Sequence, residues 1–61
     1  MLLTIEYLRD GMVISKAGFH GSIEDGKTAA ALGILQYGAK AAHILDHNRE
    51  LVGLVEAKQG A

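Results

Sequence analysis

AAHILDHNRELVGLVEA, Ala41 to Ala57, decides how this chain is built. Two apolar runs, AAHIL and ELVGLVEA, flank the tetrapeptide DHNR. Asp and Asn tolerate turn backbone, so the pattern predicts a hairpin with strands over about residues 41–45 and 50–57. The run Leu51-Val52-Gly53-Leu54-Val55 does not alternate. A strand apolar on both sides needs cover on both. One helix supplies one cover, and the other calls for a second chain.

Immediately upstream, TAAALGILQYGAK from Thr28 reads as that helix. Leu32 and Leu35 share a face at spacing three, and Ala31, Leu35 and Ala39 extend the stripe at spacing four. Asp25 or Thr28 is expected to cap the start, and Gly38 to follow the end in a left-handed conformation. Gly33, inside the helix, sacrifices about 1 kcal/mol of helix propensity against Ala and suggests a close backbone approach. Nearer the N-terminus, LLTIEYL puts Leu3, Ile5 and Tyr7 on one side and Thr4 and Glu6 on the other, as a strand does. Arg9-Asp10-Gly11 is a turn signal, and MVISKAGF is a second strand with Gly18 and Gly21 fraying its end. The expected fold is a small α/β domain of the α+β type, ordered β-β-α-β-β. One helix packs on a mostly antiparallel sheet that ends in a C-terminal β-hairpin, and residues 1–61 make a single domain.

Between strand and helix lies GSIEDGKT, Gly21 to Thr28, which satisfies the phosphate-loop pattern G-x-x-x-x-G-K-[ST]. Lys27 and Thr28 are the residue types that would reach phosphate and magnesium. Glu24 and Asp25, however, put two negative charges where polyphosphate would sit. The chain also has no room for the parallel sheet such loops serve. An acidic turn leading into a helix is the better reading.

The histidines are the other candidates. His43 and His47 are four apart, and on a helix they would share a face. On a strand running into a turn they point apart, and a metal site would need a third ligand such as His20. No metal is expected. Phe19 and His20 lie in the Gly-rich link AGFHGS, where they would form a loop-tip recognition element. Ser15 and Ser22 have no nucleophile context and no carboxylate pair stands apart, so neither catalysis nor a cofactor is expected.

Sixty-one residues leave a chain marginally stable, since a domain this size buries only about 60% of its unfolded surface. Cysteine is absent, which removes disulfides and thiolate zinc as remedies and leaves association. A homodimer or higher homo-oligomer is expected. Six basic residues stand against seven acidic ones, with no basic block, so nucleic acid is an improbable partner. No apolar run is long enough to span a membrane, and no secretory signal opens the sequence, which fits a cytoplasmic protein.

Several of these segments together resemble one motif of the cystathionine-β-synthase (CBS) family of regulatory domains. HILDHNRELVGLVE is similar to that family's strand, Asp-containing turn and "LVGIV" strand. TAAALGILQYGAK looks like its first helix, with Thr28 opening it and Ala31 and Leu32 at the Ala-Leu positions. Gly38 falls at the glycine before the next strand, and LRDGM (Leu8 to Met12) is similar to the "VRDIM" that often begins a motif. The similarity covers about residues 8–56. It departs in about four extra residues around AGFHG and in the absence of the motif's second helix. The Thr or Ser after the last strand and the later Asp, which hold the ribose of adenine nucleotides in that family, are also missing. The resemblance implies pairing of motifs about a pseudo-twofold axis; nucleotide binding does not carry over.

The expected function is a non-catalytic interaction or regulatory module, acting as a homo-oligomer. It would bind a protein or small ligand at a subunit groove lined by Phe19, His20, His43 and His47. One alternative is an antitoxin-like DNA-binding regulator, which needs Lys16, Lys27, Lys40 and Arg49 to converge. The other is a CBS-like module binding adenine nucleotides.

Overall fold

The computed structural model describes residues 1–57; the terminal KQGA lies outside the described residues. Four strands and one helix follow in the order β1 (Leu2–Arg9), β2 (Met12–His20), α1 (Ile23–Tyr37), β3 (Ala41–Leu45) and β4 (Leu51–Glu56). The sheet order is β2-β1-β3-β4, and every neighbouring pair is antiparallel. The protein is thus a small α+β fold with its helix laid across one face of the sheet. Chain connectivity dictates that placement. β2 and β3 run the same way on either side of β1, so their connection must cross β1, and α1 makes the crossing.

Local chemistry sets the turns. Asp10 and Gly11 both have positive φ, 54° and 78°, the signature of the tight turns that match strand twist. In the second hairpin the Asp46 carboxylate accepts the backbone N–H groups of Asn48 at 2.8 Å and Glu50 at 3.0 Å. That side chain replaces ladder bonds the turn cannot make, and lets Arg49 take a φ of 65°.

The helix begins earlier than its apolar pattern indicates. Ser22, not Asp25 or Thr28, is the N-cap, and its hydroxyl accepts the Asp25 N–H at 3.1 Å. Glu24 and Asp25 then occupy the first turn, where the helix dipole favours negative charge. Gly38 ends the helix as expected, at φ 70°, and Ala39 N–H donates to the Ile34 carbonyl.

The buried stripe of the helix also differs from the expected one. Gly26, Ala30, Gly33 and Ile34 face the sheet, while Leu32 and Leu35 are 65% and 81% exposed. The sheet supplies the bulk and the helix supplies the room. Leu3, Ile5 and Tyr7 of β1 and Ala42 and Ile44 of β3 form the core with Ala30 and Ile34. A Cβ on Gly33 would collide with the Tyr7 hydroxyl and ring, and one on Gly26 would come within 3.1 Å of a Leu3 methyl. Tyr7 also lies against Tyr37, ring centroids 4.9 Å apart. Burial, and then the charge of Tyr37, push the Tyr7 phenol above its ordinary pKa.

Two further expectations are corrected, and one feature is new. β2 runs on through Gly18, Phe19 and His20, so AGFHGS is no loop: Phe19 pairs with Leu3 and His20 with Leu2. β4 starts at Leu51 rather than residue 50 and stops at Glu56. Each edge strand also carries a bulge that its apolar run conceals. Ser15 and Val13 pair with consecutive residues of β1, leaving Ile14 extra; Gly53 and Leu51 pair with consecutive residues of β3, leaving Val52 extra.

Candidate functional site

Cross-strand partners in an antiparallel sheet point to the same side, so the register alone assigns each face. The face turned from the helix carries three rows, read from β2 to β4. They are Gly18–Thr4–Leu45–Leu51, Lys16–Glu6–His43–Leu54 and Val13–Leu8–Ala41–Glu56. No element of the described residues covers them. Leu2 and His20 form a further pair at one end.

Glu6 is the centre of this surface. Its carboxylate meets the Arg49 guanidinium at 3.2 Å and the Lys16 ammonium at 3.7 Å, and its side chain is only 13% exposed. Arg49 reaches it from the β3–β4 turn, past the row that holds Thr4 and Leu45. Leu45 is buried although it lies outside the helix-side core cluster, consistent with shelter from its row neighbours Thr4 and Leu51 and from that arginine. The two cations are themselves largely exposed, so each pair contributes little to stability. Their effect is to fix the carboxylate. The carboxylate has no hydroxyl or thiol beside it in its row. Around it stand exposed Leu2, Val13, Leu51 and Leu54.

The residues singled out in the sequence are scattered. His43 lies on this face, opposite Glu6 and Leu54. His20 lies at its end, and His47 is exposed in the β3–β4 turn. Phe19 alternates to the other side and packs, partly buried, against the core and the start of α1. Phe19 and His20 therefore do not share one recognition tip. Among the described residues no group of three or more His, Asp or Glu side chains is placed to hold a metal ion.

GSIEDGKT folds as the cap and first turns of α1. The Gly26 N–H donates to the Ser22 carbonyl and the Thr28 hydroxyl to the Glu24 carbonyl. Backbone groups that a phosphate loop would turn inward are spent on the helix instead. The Lys27 stem lies over β4, its Cε 3.4 Å from where a Cβ of Gly53 would stand. Lys40 pairs with Asp10 at the far end of the molecule. Lys16 and Arg49 on the open face, Lys27 on the helix side and Lys40 at that end do not converge. An apolar notch of about 260 Å³ lies on the helix side, between Ala31, Ile34, Leu35 and Ala57.

The sequence missed the cluster of Glu6, Lys16, Arg49 and His43 because its members span 43 positions between Glu6 and Arg49. Only the register brings them together. The available signal was the lone acid of β1.

No protein-family model, curated protein or solved structure matches the chain. No helix among the described residues is long and apolar enough to cross a membrane.

Proposed function

We propose that this chain is a non-catalytic interaction module that acts as a homo-oligomer, with its uncovered sheet face as the contact surface. One observation carries the reading: exposed Leu2, Val13, Leu51 and Leu54 surround an ion-paired Glu6 on a face that nothing among the described residues covers. An apolar field of this kind on a domain with so small a core is best explained by burial against a partner. The edges are weaker candidates. A bulge interrupts each edge strand, and β2 adds Lys16, both of which discourage strand addition. A groove at the border of such a contact, near His20, is where a protein or small ligand would bind.

Sedimentation equilibrium across a dilution series tests the proposal. The expected result is a mass above the 6.5 kDa of one chain that falls toward it on dilution. A mass of one chain at every concentration overturns it.

A further inference from the structure

We propose that the groove between α1 and the edge strand β4 binds a small aliphatic carboxylate, its hydrocarbon chain in the apolar notch and its headgroup at Lys27. The site lies on the helix side of the sheet. It therefore stands or falls apart from the homo-oligomer reading, which uses the other face.

The groove follows from the register. Ile44 pairs with Gly53 and Ala42 with Val55. Ile44 and Ala42 belong to the core under the helix, so Gly53 and Val55 turn the same way, and Ala57 packs against that core beyond them. Lys27, Ala31 and Leu35 stand at spacing four on α1 and form one ridge along its axis. The Lys27 stem lies over Gly53, while Ala31 and Leu35 border the notch with Ile34 and Ala57. The sheet order makes β4 an edge strand, so among the described residues the groove is open on its outer side. From Lys27 to Leu35 it runs about 12 Å. Ala31 and Ala57 are small, and that is what leaves the notch unfilled.

Two features specify the ligand. The first is an apolar wall with no hydrogen bond to offer. All four lining residues are aliphatic, and the volume of about 260 Å³ suits a small molecule. The backbone there is already used: the Ala57 N–H donates to the Lys40 carbonyl, and the Ile34 carbonyl accepts from Gly38 and Ala39. A peptide laid in the notch would leave the amides that face it without partners, a cost that a hydrocarbon chain escapes. The second feature is the cation. Lys27 is half-buried, and among the described residues no carboxylate lies within ion-pair reach of its ammonium, although Glu24 stands one turn before it. Lys16, Lys40 and Arg49 each have such a partner. An ammonium at one end of an apolar groove, its stem already laid along the wall, complements an anionic head on an aliphatic chain.

Decanoate, decanol and decyltrimethylammonium are titrated into the full chain while backbone amide shifts are followed by heteronuclear NMR. Decanoate is expected to move the amides of Lys27, Ala31, Leu35 and Ala57 with a Kd of about 1 mM. Decanol should bind the same residues about three- to five-fold more weakly, and the cationic head more weakly still. K27Q should bring decanoate to the level of decanol and leave decanol unchanged. A31L should weaken both by about ten-fold, because the new side chain fills the notch. Ala31 is exposed and leucine is a good helix former, so A31L keeps the fold, as far-UV circular dichroism checks. Equal binding of the three heads, or decanoate binding that K27Q does not weaken, overturns the proposal. So do an absence of shifts and shifts confined to the open face at Leu45, Leu51 and Leu54. Without any probe, nuclear Overhauser contacts from Gln59 or Ala61 to the Leu35 methyls would make the chain's own C-terminus the occupant and overturn it. Shifts at Leu35 that follow protein concentration alone would make a second copy the occupant, with the same consequence.

Discussion

The two faces of the sheet are built from the same strands and differ in nearly everything else. Toward the helix, Leu3, Ile5 and Ile44 are almost completely buried, fitted against glycines and alanines. Away from it, leucines stand about half exposed around an ion-paired carboxylate. Alternation along β1 produces both, since Leu3, Ile5 and Tyr7 turn one way and Leu2, Thr4, Glu6 and Leu8 the other. The contrast divides the labour of the molecule. The core is concentrated on the covered face, and no element of the described residues covers the other.

The covered face is where damage should be largest. Ile44→Ala removes a wholly buried side chain from the centre of the core, at a loss of about 2–5 kcal/mol. Cores of this size rarely supply more than about 3–5 kcal/mol in all. The variant is therefore expected to be mostly unfolded by far-UV circular dichroism at room temperature. A cooperative urea transition near that of the native chain would show that the covered face is not the seat of stability.

A finer probe of the same face is Gly33→Ala. Helix propensity alone favours the alanine by about 1 kcal/mol. The new methyl, however, meets the Tyr7 phenol, and Tyr7 cannot swing aside freely because Tyr37 stands beside it. Overpacking of that kind costs about 1–3 kcal/mol, so a net loss is expected in urea denaturation. Gly26→Ala is the comparison. Its methyl meets only the end of the Leu3 side chain, which can give by a few tenths of an ångström. Gly26→Ala should be close to neutral, and a loss as large as that of Gly33→Ala would mean the helix lies equally tight along its length.

These two glycines also explain how far the sequence could be read. The strand alternation of β1, the Asp10-Gly11 turn, the DHNR turn and Gly38 were legible because each depends on neighbours in the chain. The buried face of the helix was not, because a helix read alone is expected to bury its leucines. Here Leu3 and Tyr7 of β1 already fill the space, and only small residues fit opposite them. Glycines likewise hid the true course of β2. Gly18 and Gly21 bracket Phe19 and His20 like a loop, yet pairing with Leu2 and Leu3 keeps the strand going and turns the two side chains to opposite faces. The open-face cluster was hidden for the same reason, since a single-residue change of register would have dispersed Glu6, Lys16 and His43.

The smallest effect on stability, and the most informative, is expected from Leu54→Asp on the open face. Leu54 is 51% exposed in the single chain and takes no part in the core cluster. Substitutions at such positions usually change stability by no more than about 0.5 kcal/mol. Placing a carboxylate there should leave the monomer's intrinsic stability, measured in urea at high dilution, almost where it was. Association should respond differently, because an ion then has to be dried in the contact; a loss of at least about ten-fold in dimer affinity is expected. The two measurements together decide between roles for this face. Stability lost in step with affinity would make the open face part of the fold, and stability kept while the mass drops to one chain would make it a surface for another molecule.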